Sequence, residues 1–306
     1  MNLKVDLYKN NFGRKKFFNL IFLIPMRKIL TKISKDHLQE GNRQIVFPAF
    51  DYISNEIALD GVFEKKELVT FFRWLSSLTI STKESVCIDI GANIGNHSLY
   101  FSDYYKKVYS FEPSERIFNI LFLNSKLVNN IECFNFGCSN EDKTALLTSI
   151  STNRGGSFIS SEEREGEIEK IKVKPLDETL QDINNVGLIK IDVEGHEYEV
   201  LEGAKKTIKD NMPIILFEQH ENDFYDNSSP SIEFLKKVGY KDFAILRKYP
   251  RVKGNFLKQL IFNPILVLLF GDQTKIKLVK NIVPDFYEFI IALPDWFPLK
   301  NLEIKK

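Results

Sequence analysis

Two short stretches concentrate the side chains that could do chemistry. Asp192, Glu194 and His196 alternate through "DVEGH", and Glu218 and His220 frame "EQH". Each stretch follows an apolar run that reads as a strand, residues 186–191 and 213–217, so both sets stand at strand ends. Carboxylates and imidazoles gathered on one rim suit a reaction in which a hydroxyl must be held and its proton removed. Either His196 or His220 could be the base, since an unperturbed imidazole titrates near 6.5, with Asp192 or Glu218 orienting it. Asp192, Glu194 and Glu218 are also the oxygen ligands that Mg²⁺ would choose.

The elements that must position these groups begin at Ser85, where strands and helices start to alternate. Strand candidates are residues 86–90, 108–111, 131–136, 186–191 and 213–217, with two more at 240–246 and 286–292. Between them, residues 114–128 read as a helix capped by Ser114. Residues 196–208 read as another, with Glu197 and Glu199 suited to its N-terminal dipole. Alternation of this kind predicts an α/β fold with a doubly wound, mostly parallel sheet. Residues 144–150 and 168–173 interrupt it as an inserted hairpin, spanning 144–173, with a mobile tip at Asn153–Ser157 and an acidic run from Glu162 to Glu167. Upstream, residues 45–53 read as a strand or hairpin and residues 64–75 as an amphipathic helix. The expected organisation is a basic and apolar segment 1–44, a cap 45–84, and a main domain 85–300 with an apolar insertion at 251–280.

Composition narrows the classes. A chain of 306 residues that is 43% apolar can bury a large core, and a net charge of +1 gives no support to a nucleic-acid binder. Cys87, Cys133 and Cys138 sit in strand-like runs without metal-ligand spacing, which suits buried thiols in a reducing compartment. No apolar run reaches the roughly 18–20 residues that span a bilayer. Residues 17–26 and 256–270 come partway and are flanked or interrupted by basic and polar residues. The expected location is therefore cytoplasmic, with peripheral contact at the inner face of a membrane left open.

The turn after the first main-domain strand, "DIGANIG" at residues 89–95, points to the ligand. A dinucleotide fingerprint needs glycines where this chain has Asn93 and Asn96, so a diphosphate is disfavoured. Glu112 ends the next strand, about twenty residues on, where a carboxylate takes two ribose hydroxyls and repels a phosphate. Asp89, in a buried strand end, needs a partner: a cationic ligand group or the turn's own backbone N–H groups. S-adenosylmethionine offers adenosine, no phosphate and two cationic centres, which matches.

"CIDIGANIGNHSLYFS", "VYSFEPSERIFNILFLN", "VKPLDETL", "IKIDVEGHEYEVLEGA" and "PIILFEQH", in this order, resemble the FkbM family of S-adenosylmethionine-dependent methyltransferases. The resemblance covers roughly residues 45–295. It implies a Rossmann-like class I methyltransferase sheet of about seven mostly parallel strands, with helices on both faces and one antiparallel strand near the edge. It further implies cofactor contacts at Asp89, Gly91, Asn93, Gly95 and Glu112, and at Cys138 and Ser139 near the adenine. The family mostly methylates hydroxyl oxygens, so the expected acceptor is a saccharide, glycan or glycolipid. A metal-free mechanism is preferred to a Mg²⁺-assisted one, because family membership alone does not imply a metal. Glu197 is expected to stabilise a helix start and His97 to pack near the cofactor. Rival readings are a nicotinamide oxidoreductase on a related sheet, a catalytically silent scaffold at a membrane and, more weakly, an N-methyltransferase. The acceptor's identity and the oligomeric state lie beyond the sequence.

Overall fold

The chain divides into two units, Met1–Arg43 and Gln44–Lys306. The computed structural model describes residues 17–49, 51–150, 153–160, 167–225, 228–249, 256–271 and 273–299. The first unit contains helix α1 (Phe17–Gln39), which runs through Pro25. Among the described residues no helix is long and apolar enough to cross a membrane.

The second unit opens with two helices, α2 (Tyr52–Asp60) and α3 (Lys65–Ser77). The strand or hairpin expected over residues 45–53 does not form among its described residues: residues 45–49 lie in no helix or strand, and α2 begins at the end of that stretch. Capping sets the limits of α2. Asp51 accepts from the Ser54 N–H at 2.7 Å, and Gly61 closes the helix at φ 81°. The amphipathic spacing holds in α3, which buries Leu68, Phe71, Phe72 and Leu75.

The chain then alternates through β1 (Val86–Ile90), α4 (Asn96–Phe101), β2 (Lys107–Phe111), α5 (Glu115–Ser125) and β3 (Ile131–Phe134). Four strands follow that form a sheet of their own: β4 (Gly137–Cys138), β5 (Lys143–Ile150), β6 (Asn153–Ser160) and β7 (Glu167–Lys174), in the order β4-β7-β5-β6. The stretch expected to be a mobile tip is thus strand β6, paired antiparallel with β5. The acidic run falls, apart from Glu167, outside the described residues. This small sheet is fastened to the main one by Glu169 of β7, whose carboxylate accepts from the Glu115 N–H at 2.9 Å and the Ser114 hydroxyl at 2.7 Å. Ser114 therefore does not cap α5 with its own oxygen; the imported carboxylate does, favoured by the helix dipole.

The remaining elements are α6 (Leu176–Thr179), β8 (Val186–Ile191), α7 (Glu197–Gly203), α8 (Lys205–Asn211), β9 (Ile214–Gln219), α9 (Pro230–Val238), β10 (Asp242–Tyr249), α10 (Phe256–Phe270), β11 (Gln273–Val279) and β12 (Tyr287–Leu293). The main sheet has eight strands in the order β11-β10-β12-β9-β8-β1-β2-β3. The five from β9 to β3 are parallel, and β12 runs antiparallel between β9 and β10. This is the expected Rossmann-like sheet with one strand more, β11, which returns along β10 from Tyr249↔Gln273 to Phe243↔Val279. Alternate residues of the central strands feed two cores. Ile88, Ile90, Ile189, Ile191, Ile215 and Phe217 meet Val200, Leu201 and Leu235 on one face. Cys87, Leu188, Ile214 and Leu216 meet Leu68, Phe71 and Phe72 on the other.

The helix expected over residues 196–208 is broken into α7 and α8 at Ala204. Close approach at its neighbour Gly203 marks the break: a Cβ there would lie 1.8 Å from the Ser139 carbonyl oxygen. Gly203→Ala should accordingly cost about 1–3 kcal/mol of stability through overpacking. Urea unfolding would measure it, and an unchanged midpoint would contradict this close contact.

Candidate active site

Strand order reverses between β1 and β8, and the turns that leave these two strands touch. The Asp192 N–H donates to the Ile90 carbonyl at 3.1 Å, and a Cβ on Gly91, at φ 74°, would lie 1.8 Å from the Asp192 carbonyl oxygen. Only glycine fits there. Buried Lys190 binds the two turns further. Its ammonium donates to the Gly91 carbonyl oxygen at 3.0 Å and lies 3.3 Å from Asp89 and 3.1 Å from Asp192. Burial opposes its charge, but Asp192 and Asp89 outweigh that and raise its pKa.

This pairing corrects the expected role of Asp89. Its carboxylate is fully buried, faces Lys190 across the register of β1 and β8, and accepts from Ser98 Oγ at 2.6 Å. It needs no ligand cation and does not line the cavity described next. Gly95 does not line it either; a Cβ there would meet Leu121 Cδ1 at 2.7 Å, so this glycine lets α4 pack on α5.

A cavity of about 400 Å³ opens beyond these strand ends. Gly91, Asn93, Glu112 and Cys138 line it, as do Asp192, Glu194 and Glu218. Asn93 takes the left-handed conformation, φ 49°, which asparagine tolerates, and its N–H donates to Glu112 Oε2 at 3.0 Å. The Ser114 N–H donates to Glu112 Oε1 at 2.9 Å. Each oxygen keeps acceptor capacity for a hydroxyl. Burial pushes the Glu112 carboxyl up to about 7, against the pull of those two N–H groups. Nine carboxylates and three lysines line the cavity, a field that attracts cations and repels phosphates.

The chemical side chains separate into two groups. Glu194, Glu218 and His220 come together: His220 Nε2 lies 3.1 Å from Glu194 Oε2 and 3.8 Å from Glu218 Oε1. The Glu194 hydrogen bond raises the His220 pKa. Burial and the neighbouring Asp192 drive the Glu218 carboxyl far up, so it holds a proton and donates it to Asp192. Burial alone would raise Asp192 as well, but Lys190 and that donated bond hold it below its ordinary value. His196 stands apart. It shares a 2.9 Å hydrogen bond with Ser139 Oγ, lies 3.5 Å from Glu199 and lines no part of the cavity; nor does Ser139. Burial lowers the His196 pKa. As for cation ligands, atoms of Glu194, Glu218 and His220 fall within 4.8 Å of one another, so His220 takes the place expected for Asp192 in such a set.

Glu197, expected to stabilise a helix start, stands at the first position of α7 and accepts from the Gly195 N–H at 3.1 Å, bracing the turn that carries Glu194. His97, expected to pack near the cofactor, lies 3.2 Å from Glu64. Other contributors escape the sequence pattern. Asn96 exchanges two hydrogen bonds with the Phe63 backbone, which with His97 fixes the start of α3 over the cavity. Lys248 bridges buried Glu67 at 3.0 Å and Glu288 at 3.2 Å on the same wall. A lysine inside the apolar strand "VGLIKI" was the available signal for Lys190.

A sequence profile described as the methyltransferase FkbM domain matches residues 89–246, just over half of the chain. The chain belongs to the FkbM methyltransferase family. Among curated proteins it is similar to Methyltransferase 1 of Beauveria bassiana, 28% identical over 145 residues that cover 39% of this chain and 58% of that protein. It is also similar to Methyltransferase sdnD of Sordaria araneosa, 28% identical over 153 residues that cover 38% of this chain and 59% of that one. The chain thus spans less than two thirds of the length of these relatives. Among solved structures it is similar to the methyltransferase FkbM of Methylobacillus flagellatus, with 18% identity, 66% of this chain and 49% of that chain covered, and a TM-score of 0.36. Another is the magnesium protoporphyrin IX methyltransferase of Synechocystis, with 11% identity, 73% and 91% covered, and a TM-score of 0.40.

Two outcomes follow for this FkbM-family chain. Lys190→Met leaves Asp89 buried without a cation and should cost about 3–5 kcal/mol in urea unfolding, with Asp89→Asn in the same chain recovering most of it. Glu112 has a folded pKa above the ordinary 4.5, so its contribution to ligand-free stability is present below 4.5 and lost as pH rises through about 7. A ribose needs the carboxylate, so nucleoside affinity should move the opposite way. S-adenosylhomocysteine should bind more tightly as pH rises from 6 to 8, by up to about tenfold per unit below the pKa, and calorimetry of Glu112→Ala should lose that dependence.

Proposed function

We propose that this FkbM-family chain moves a methyl group from S-adenosylmethionine to a hydroxyl oxygen of a saccharide, glycan or glycolipid. The observation that carries this reading is one cavity with two chemistries. Glu112 and the Asn93 turn offer hydrogen bonds suited to a phosphate-free ribose, and Glu194 and Glu218 line the same space with His220 beside them. The residues present fit the methyl donor: the wall is acidic, which favours its cationic centres, and Glu112 supplies the diol acceptor. When bound, the donor supplies a methyl carbon already activated by positive sulfur.

The chain's own part is positioning and proton removal. Glu194 and Glu218 accept hydrogen bonds from acceptor hydroxyls and hold the reacting oxygen in line with the methyl carbon, within about 3–3.5 Å. The proton passes to the Glu194–His220 pair, and His196 takes no part because it faces Ser139 and Glu199 outside the cavity. Lys190 already balances Asp192, so the transfer proceeds without a metal. Residues 45–84 act as the acceptor cap, with Tyr52, Phe63 and Glu67 on the cavity wall.

Incubation with labelled methyl donor and fractionated glycans and glycolipids should place the label on a hydroxyl oxygen. Label in protein or nucleic acid, or tight NADH binding without S-adenosylhomocysteine binding, would overturn the proposal. His220→Ala should lower kcat at least about a hundredfold and His196→Ala less than about tenfold. Exhaustive chelation should leave the rate unchanged; loss of activity restored by Mn²⁺ would transfer Glu194, Glu218 and His220 to a metal site.

A further inference from the structure

β10 and β11 pair up to Tyr249↔Gln273, and α10 lies between these two residues in the chain. Within that excursion α10 ends on a run of large apolar side chains. Leu268 is 85% exposed, Leu269 66% and Phe270 64%, and Phe262 and Ile265 are about half exposed. Successive residues of a helix point about 100° apart, so a last turn exposed at 267, 268, 269 and 270 is exposed all round. Among the described residues nothing covers it. Isolated exposed leucines need no explanation, but a contiguous patch of this kind marks a surface that meets something apolar.

Charge says what. From Phe243 to Gly271 the sequence contains no acid, and it contains Arg247, Lys248, Arg251, Lys253 and Lys258. Arg247 and Lys248 are committed to Asp285, Glu67 and Glu288. On β11, two residues past the Tyr249↔Gln273 pair, exposed Lys275 adds a further positive charge. An apolar helix flanked in sequence by lysines and arginines is complementary to an apolar layer beneath anionic headgroups. At 15 residues α10 is about 22 Å long, too short to cross a hydrocarbon core of about 30 Å.

We propose that α10 is a membrane-docking element whose tip enters the headgroup region of an anionic lipid bilayer, with the basic residues that flank it in sequence favouring the anionic surface. The docking is independent of methyl transfer. Its position on the β10–β11 edge anchors it to the strand that supplies Lys248 to the cavity wall, so a docked chain presents that cavity at a fixed offset from the bilayer.

Co-sedimentation of the full chain with vesicles tests this, because it needs no enzymatic activity. The chain should bind vesicles of phosphatidylcholine with about one third phosphatidylglycerol at least tenfold more tightly than pure phosphatidylcholine, and less tightly as salt rises. Leu268→Asp with Leu269→Asp should weaken binding at least tenfold and leave S-adenosylhomocysteine affinity unchanged, which shows the fold is kept. Equal binding by wild type and variant would overturn the proposal and assign any membrane contact to residues 1–43. Absence of vesicle binding by the wild type would also overturn it, as would a wild-type dimer that the double variant converts to a monomer, since the tip would then meet a second copy of this chain.

Discussion

A single buried ammonium ties the two turns on which the site is built. Moving Lys190 out of water is unfavourable unless its charge is compensated, and its partners come from β1 and from both turns: Asp89, the Gly91 carbonyl oxygen and Asp192. Satisfying one side chain therefore fixes the relative position of the β1 and β8 turns. Gly91 permits the approach, because any Cβ would strike the Asp192 carbonyl. Downstream groups inherit this geometry. Asn93 directs its N–H to Glu112 from one turn, and the Asp192 carboxylate accepts the hydrogen bond of protonated Glu218 from the other.

The cap depends on the same region by a different route. Asn96 and His97 begin α4, immediately after the glycine turn, and grip Phe63 and Glu64 at the entrance of α3. Lys248 and Glu288 reach Glu67 from β10 and β12. The wall of the cavity away from the strand ends is thus held by polar contacts to the main sheet, with Phe71, Phe72 and Leu75 sealing the core beneath. These contacts hold the start of α3 at both the α4 and β10 sides, so the residues it lends to the cavity wall are fixed in place.

What the sequence made legible follows from the range of each interaction. Strand and helix alternation is set by local burial period, and every main-sheet strand from β1 to β9 appears where apolar runs predict it. Capping is also local, and Asp51 and Gly61 bracket α2, which was missed; the apolar stretch 45–53 before it forms no strand among its described residues. Glu169 capping α5 and Gly203 under Ser139 involve partners more than fifty residues away, which no window reveals. Asp89 is the instructive case. A buried carboxylate does require a partner, but a ligand cation and a lysine on the neighbouring strand satisfy the requirement equally, and only strand register, Asp89 opposite Lys190, distinguishes them.

The same limit explains the two histidines. His196 sits at the start of α7, and there the ring falls on the side of Ser139, to which it is hydrogen-bonded, and burial lowers its pKa. His220 follows the last residue of β9 and faces the β8 turn, where Glu194 in its left-handed conformation projects toward it. Spacing in "DVEGH" places both Glu194 and His196 at one strand end, but a turn with two consecutive left-handed residues, Glu194 and Gly195, reverses direction between them. The carboxylate goes to the cavity and the imidazole to the far side. Proximity in sequence therefore misled where proximity between adjacent parallel strands, β8 and β9, assembled the titratable set. That set is crowded with negative charge, and the crowding persists because Glu218 gives up its charge and Lys190 compensates Asp192, leaving Glu194 and His220 to face the acceptor side together.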